Sequence, residues 1–269
     1  MSLTYIVDEI TIYFGSSLLV AGVFGNLMTI IMFSSVRKYR TIPSTFYYIA
    51  GSIANIVYIL VYLTTRITTS ANGIDLTRTS IVWCKARSFA AGSLGPISFS
   101  CSCLATIDQY FLTSHKVNIR RLSNIKWAHR ILFIVIIFWF IHGSISTIFY
   151  NITPIRCYPT NPIYDQYVNV YILLFLCLLP ITIMIIFGFL TYKNLRETIL
   201  LLEEHADRQL ANMILIQVLL IMISMIPFGT FYTYRLITNG ISKDTNRLLK
   251  ENLVNVILTL VSYFYYIVS

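Results

Sequence analysis

Seven long runs of apolar residues constrain this chain more than any other feature of its sequence. The runs carry few or no charges and cover residues 10–33, 43–65, 88–107, 131–150, 168–190, 210–234 and 253–268. A helix needs about 20 apolar residues to cross the roughly 30 Å hydrocarbon core of a bilayer. The short alternating segments of a membrane β-barrel are absent from the sequence. The sequence therefore predicts an all-α membrane protein, a seven-transmembrane helix bundle.

The composition agrees with this fold class, because only 12% of the 269 residues are charged, whereas a soluble domain carries about 25%. We expect a single domain over residues 1–269. With their flanks, the predicted helices cover residues 10–33, 43–67, 81–113, 125–150, 166–192, 209–236 and 250–269. The sequence ends at Ser269, inside the last run. We therefore expect a truncated seventh helix.

The positions of Lys and Arg predict the orientation of the bundle. No cation precedes the first run, whereas the first, third and fifth loops are basic. Their cations are Arg37, Lys38, Arg40, Lys116, Arg120, Arg121, Lys126, Lys193, Arg196 and Arg208. The positive-inside rule then places the N-terminus outside the membrane. The net charge of +9 lies in these loops, so it reflects topology, and nucleic acid is not an expected partner.

The predicted outer loops carry two features that agree with this orientation. Asn151-Ile-Thr153 is a glycosylation acceptor, although its closeness to the membrane leaves its use open. Cys84 and Cys157 both fall on the oxidising side, where a disulfide persists. Cys101, Cys103 and Cys177 lie inside apolar runs, as small packing residues do.

Several residues stand at spacings that are typical of one receptor family. They are Gly25-Asn26 in the first run, Trp139 in the fourth, and Pro180 and Pro227 in the fifth and sixth. Asp108-Gln109-Tyr110 closes the third run, with Gln109 25 residues after Cys84. Over nearly its whole length the chain resembles a rhodopsin-like (class A) G-protein-coupled receptor. The resemblance implies a Cys84–Cys157 disulfide and no cofactor.

The resemblance also assigns residues to coupling and to a conformational switch. G-protein coupling would involve Asp108, Gln109 and Tyr110. Switch and hinge positions would be Asn26, Asn55, Ser98, Pro180, Met225 and Pro227. Gln109 replaces the family's arginine, which pairs with its acidic neighbour at rest and contacts the G protein when active. This replacement is consistent either with reduced coupling or with the loss of a resting lock. Asn55 replaces a sodium-binding aspartate, so no metal ion is expected.

Two ligand classes of the family are excluded by single positions. Ala91 stands where amine receptors carry an aspartate, and residues 253–269 contain no lysine for retinal. A peptide ligand would instead contact a charged outer rim, formed here by Arg235, Lys243, Arg247, Lys250 and Glu251, although these could be ordinary solvated loop charges. By helix position, the expected pocket residues are Ala91, Gly95, Tyr171, Phe228, Tyr232 and Arg235. We expect this pocket to be apolar, with few polar anchors.

The leading hypothesis is a multi-pass plasma-membrane receptor that couples an extracellular ligand, a neuropeptide, to a heterotrimeric G protein. In this respect the chain resembles divergent invertebrate orphans related to the peptide-receptor branch. Gln109 favours an alternative, a decoy receptor that binds ligand without coupling. A transporter or channel would need ionisable residues at mid-membrane and repeats, and the sequence shows neither pattern. No HExxH, GxSxG or P-loop motif occurs, so an enzyme is not expected.

Overall fold

Long helices dominate the structure, which is a computed structural model that describes residues 3–37, 39–153, 157–198, 205–238 and 244–268. The first four are α1 (Leu3–Ser35), α2 (Pro43–Asn72), α3 (Ile81–Thr113) and α4 (Ile125–Phe149). The fifth, α5, runs without a break through Pro162–Tyr171, Ile172–Leu178 and Leu179–Thr198. The last two are α6 (His205–Ile237) and α7 (Thr245–Val268). The predicted all-α bundle of membrane-length helices is confirmed.

Six helices in the described ranges are long and apolar enough to cross a membrane. They cover Tyr5–Ser35, Pro43–Asn72, Ile81–Thr113, Ile125–Phe149, Pro162–Arg196 and Leu215–Ile237. The helix α7 carries several polar residues, yet it packs against α1, α2 and α6. Its tyrosines Tyr263, Tyr265 and Tyr266 are buried in the bundle. These three tyrosines of α7 therefore face other helices instead of lipid.

Helix boundaries follow from capping residues in the loops. Pro43 opens α2, where its fixed φ suits the first helical turn. The same helix ends at Gly73, whose φ of 66° lies in the left-handed region and whose N–H donates to the Thr69 carbonyl oxygen. Ser80 and Asn124 cap α3 and α4 by accepting hydrogen bonds from backbone N–H groups of the first turn. Short polar loops thus set the ends of long apolar helices.

The fifth helix changes its hydrogen-bond pattern just before a proline. Residues Ile172–Leu178 form a π-helical segment, and the N–H of Leu179 donates to the carbonyl oxygen of Leu174. Pro180 has no N–H and cannot continue the normal α-helical pattern. A π segment accommodates this missing donor without ending the helix. Pro227 lies inside α6, which continues through it.

An outer hairpin covers one end of the bundle. Strands β1 (Tyr150–Ile152) and β2 (Cys157–Pro159) pair antiparallel, with Ile152 opposite Cys157. A disulfide joins Cys157 to Cys84 at the start of α3, with a Cα–Cα distance of 5.7 Å. The pairing implied by the resemblance is therefore present and ties the hairpin to α3. The Asn151 side chain is exposed on β1, and its glycosylation stays a prediction.

The central helix α3 meets α4 through glycines. A Cβ atom on Gly143 would lie 2.9 Å from the Ser93 Cβ and 3.0 Å from the Phe89 carbonyl oxygen. A Cβ atom on Gly92 would lie 3.0 Å from the Gly143 Cα. Small residues at such a crossing let two membrane helices approach closely. This contact fixes the position of α4 on the α3 face that also supports the outer cavity.

Replacing Gly143 by alanine should destabilise the bundle by about 1–3 kcal/mol, because the added methyl group meets backbone that has no room to move. In an uncrowded helix the same change would stabilise by roughly 0.5–1 kcal/mol. The measurement is thermal denaturation of the purified chain in detergent. Ser144→Ala, at an exposed neighbouring position of α4, is the matched control and should change little. Equal melting temperatures for both variants would contradict a close contact.

Candidate functional site

The outer half of the bundle encloses a cavity of about 300 Å³. All six residues expected from helix position line it, namely Ala91, Gly95, Tyr171, Phe228, Tyr232 and Arg235. These residues come from α3, α5 and α6, so the sequence positions converge on one space. The hairpin contributes Tyr150 and Tyr158 to the lining. That these residues bind a ligand stays a prediction.

The wall of this cavity is rich in tyrosine, so the expectation of an apolar pocket with few polar anchors is wrong. Ten tyrosines line it: Tyr58, Tyr62, Tyr150, Tyr158, Tyr164, Tyr167, Tyr171, Tyr232, Tyr263 and Tyr266. In the sequence, Tyr150 and Tyr167 resemble members of an interfacial belt, because tyrosine collects near helix ends, whereas Tyr171 and Tyr232 are expected in the pocket. Which tyrosines face inward depends on helix rotation, and the sequence does not give that rotation.

One side of the cavity is an aromatic stack that carries an arginine. The Tyr62 ring stacks on Tyr58 at 4.7 Å, and Tyr58 stacks on Tyr266 at 4.4 Å. The Arg87 guanidinium lies 4.8 Å from the centre of the Tyr62 ring, within the range of a cation–π contact. The Tyr62 hydroxyl also donates to the Arg87 carbonyl oxygen at 3.0 Å. Two helices, α2 and α3, thereby hold Arg87 at the cavity wall.

The opposite side is organised by His142 of α4. Its Nδ1 lies 2.9 Å from the Gly92 carbonyl oxygen, and its Nε2 lies 2.9 Å from the Tyr167 hydroxyl. The imidazole ring also stacks on Tyr171 at 4.6 Å. This histidine is a hydrogen-bonded packing residue that orients the tyrosines of α5.

Two charges of the predicted outer rim pair with each other. The Arg247 guanidinium lies 3.1 Å from Glu251, and the Tyr234 hydroxyl donates to the same carboxylate at 2.8 Å. A largely exposed pair of this kind contributes about 0–1 kcal/mol. Arg235 is the rim residue that lines the cavity, whereas Lys243 lies outside the described residues. The pair lies in the first turns of α7, and contact of the rim with a peptide stays a prediction.

Below the cavity, three predicted switch residues form one hydrogen-bonded group. The Asn26 amide donates to the carbonyl oxygens of Gly22 and Tyr266, each at 2.8 Å. The Asn55 amide donates to the Asn26 Oδ1 at 3.1 Å. The Ser98 hydroxyl donates to the Asn55 Oδ1. All three side chains are buried, so these bonds join α1, α2, α3 and α7 in the interior of the bundle.

The same group continues through residues that the sequence did not single out. The Tyr265 hydroxyl lies 3.2 Å from the Ser98 Oγ and 2.8 Å from the Ser102 Oγ. The Gln217 amide of α6 donates to the Ser102 Oγ at 2.8 Å, and the Tyr48 hydroxyl donates to the Gln217 Oε1 at 3.1 Å. We call the series from Asn26 to Tyr48 the polar network. Two features of the sequence could have indicated this network. They are the i,i+4 spacing of Ser98 and Ser102 and the isolated Gln217 in an apolar run.

The other predicted switch residues lie apart from the polar network. Met225 is buried and lines the cavity. Pro227 is half-buried within α6. Pro180 is buried, and its carbonyl oxygen lies 4.0 Å from the Cys103 sulfur. Their roles as switch and hinge stay predictions.

The inner end of α3 places the Asp108-Gln109-Tyr110 triplet among neighbours from three directions. The Asp108 Oδ1 accepts a hydrogen bond from the Ser123 hydroxyl at 2.7 Å. Gln109 is fully buried, with its Oε1 3.5 Å from the Ser44 hydroxyl. The Tyr110 ring meets Phe187 of α5 edge-on at 5.5 Å. Asp108 is thus bonded to Ser123, a serine of the loop after α3. An arginine in the place of Gln109 would compete with this serine for the Asp108 carboxylate.

Comparison with known families decides what this architecture is. A family model described as 7 transmembrane receptor (rhodopsin family) matches residues 25–269. The chain belongs to the rhodopsin family of seven-transmembrane receptors. A search among curated proteins finds no match. The receptor is therefore a multi-pass membrane protein and not an enzyme, and its family implies an extracellular ligand and a G-protein partner.

The receptor's polar network has no carboxylate that could hold a cation. Asn55 and Ser98 offer only amide and hydroxyl oxygens, and they bond to each other. Hard cations prefer carboxylate oxygens. Among the residues that the structure describes, no group of three His, Cys, Asp or Glu side chains could hold a metal ion.

Tyr265→Phe should lower the free energy of unfolding of the receptor by about 1–2 kcal/mol, because it removes a hydroxyl with two partners. Tyr171→Phe is the matched control, since the buried Tyr171 hydroxyl has no hydrogen-bond partner among the described residues. That control should be neutral or slightly stabilising. Thermal unfolding of the two purified variants, without ligand, measures the difference. Equal effects would show that the network bond contributes nothing.

Proposed function

We propose that this receptor binds a peptide in the tyrosine-lined cavity and activates a heterotrimeric G protein at the plasma membrane. One observation supports this function above the others: the polar network lies directly between the cavity and the inner end of the bundle. Tyr266 lines the cavity, and its carbonyl oxygen accepts the Asn26 bond. Phe99 also lines the cavity and stacks on Tyr265 at 4.2 Å. A ligand in the cavity would therefore press on members of the network.

The mechanism is a population shift between two arrangements of α6. Gln217 attaches α6 to Ser102 of α3 and to Tyr48 of α2. An outward movement of the inner end of α6, with Pro227 as the pivot, breaks both bonds. A ligand favours this state only if it binds that state more tightly. Phe228 and Tyr232 lie next to the pivot, so ligand contacts with them can differ between the two states and produce this difference in affinity.

The inner end of the bundle, where Gln109 lies, must open before it can bind a G protein. Gln109 has no exposed surface in the structure, so its amide becomes available only when neighbouring helices separate. A glutamine amide both donates and accepts hydrogen bonds. It can bond a G-protein carbonyl oxygen, although without the charge assistance that an arginine supplies. Coupling through Gln109 is therefore expected to be weaker than coupling through arginine at this position.

A peptide ligand fits the outer end of the receptor better than an amine or retinal. Ala91 offers no carboxylate for an ammonium group, and no lysine occurs in the described α7 beyond Lys250. A cavity of about 300 Å³ lies at the lower limit of small-molecule pockets. One end of a peptide would fill it, and the remainder would contact the hairpin. Under this proposal the receptor would belong to the peptide-receptor branch.

The experiment is G-protein activation in cells that express the receptor, with and without pooled neuropeptides. Native receptor and Gln109→Arg are compared at equal surface expression. We expect a ligand response from the native receptor and a response at least several-fold larger from Gln109→Arg, because the guanidinium adds charge-assisted hydrogen bonds. Tyr232→Ala, which removes a cavity ring, should weaken both responses.

Binding of labelled peptide to the same cells separates the possible outcomes. Intact binding with a silent native receptor, and signalling only from Gln109→Arg, would contradict coupling and identify a decoy. Binding that survives Tyr232→Ala unchanged would place the ligand outside the cavity.

A further inference from the structure

Three arginines line the outer cavity, and none has a carboxylate partner in the described part of the chain. Arg66 and Arg87 are half-buried, and Arg235 is exposed at the rim. The ion pairs within the described ranges join Arg78 to Asp75 and Arg247 to Glu251. Both of those pairs lie outside the cavity lining. The three cations of the cavity therefore form no ion pair within the described residues.

The three guanidinium groups belong to one cavity. Arg66 of α2, Arg87 of α3 and Arg235 of α6 all line it, together with Tyr62, Tyr232 and Tyr263. Asp165 is the one carboxylate in the described lining, so positive charge is in excess.

Aromatic neighbours position the guanidinium groups of Arg87 and Arg235, and among the described residues no hydrogen bond from either group is found. Arg87 lies 4.8 Å from the Tyr62 ring, and Arg235 lies 5.6 Å from the Tyr232 ring. A cation–π contact holds the flat face of a guanidinium, whereas its five N–H donors point along the edge. A half-buried cation without a hydrogen-bonded counterion is unfavourable. The site is arranged to be completed by an anion from outside.

We propose that the ligand of this receptor carries a carboxylate, held by Arg66 and Arg87 beneath Arg235. The guanidinium edge matches a carboxylate through two parallel hydrogen bonds. The tyrosine walls leave room beside it for a flat apolar group. In a peptide, the carboxylate is the free C-terminus or an acidic side chain. The inference rests on the proposed function for the location of the ligand, and it adds the chemical class.

The test measures binding to purified full-length receptor, with no G protein present. The probes are a dipeptide library with free C-terminal carboxylates and the same library with C-terminal amides, divided into members with and without Asp or Glu. Thermal stabilisation of the receptor reports binding. We expect stabilisation by the free acids and none by amides that lack Asp and Glu. Amides that contain Asp or Glu reveal whether a side-chain carboxylate also suffices.

Variants locate the carboxylate site. Arg66→Gln and Arg87→Gln should each weaken binding of the acids roughly tenfold to a hundredfold, as expected for a lost charge-assisted hydrogen bond. Lys85→Gln removes the same charge from an exposed position of α3 outside the cavity and should leave binding unchanged. The comparison of acids with amides on native receptor needs no variant, so a poorly folded variant does not prevent the test.

Three results would overturn the inference: equal stabilisation by neutral amides and acids, no stabilisation by any acid, or equal losses in Lys85→Gln and Arg87→Gln. These results are distinct from failure of the proposed function. Acid binding by a receptor that never activates a G protein would support the carboxylate site and contradict coupling. Cellular signalling in response to neutral amidated peptides alone would support coupling and contradict the carboxylate site.

Discussion

The hydrogen bonds between buried amide and hydroxyl groups are the constraint on which the rest of this receptor depends. In a bilayer, apolar side chains do not drive helices together, because lipid is as apolar as they are. The polar network instead joins α1, α2, α3, α6 and α7 through Asn26, Asn55, Tyr265 and Gln217. A buried polar group that loses its partner costs about 1–3 kcal/mol. Relative positions of five helices are thus specified by a few groups that must stay paired.

The outer cavity follows from this constraint together with two rigid contacts. Gly92 and Gly143 hold α3 against α4, and the Cys84–Cys157 disulfide fixes the hairpin above. The floor of the cavity includes Tyr266, whose backbone belongs to the polar network. Tyr266 therefore belongs both to the cavity lining and to the bonds that set the arrangement of the helices. A ligand that binds to the cavity tyrosines can change the polar network directly, without other residues in between.

The sequence predicts those features of the receptor best that depend on the residue type at a given position and not on contacts between helices. Apolar runs reveal membrane helices, because the bilayer sets their length and composition, whereas Asn26, Asn55 and Ser98 were assigned through the resemblance to the receptor family. Their partners across helices were missed: Gln217 is a single polar residue in an apolar run, Tyr265 is one of several tyrosines at the end of α7, and helix rotation decides which residues they contact. Arg66 sits at the end of a run and resembles an ordinary interfacial charge. The π segment was missed because Pro180 predicts a disturbance but not its form.

The central claim is that the polar network holds α6 against α3 at rest, and it can be tested without a ligand. Spin labels on exposed Lys116, in the loop directly after α3, and on exposed Asn212 of α6 report the distance between the inner ends of these two helices. Gln217→Leu removes both bonds that join α6 to the network. Ser224→Ala removes a hydroxyl bonded only within α6. We predict a longer, broader distance distribution for Gln217→Leu and a native one for Ser224→Ala; an unchanged distribution for Gln217→Leu would contradict the account.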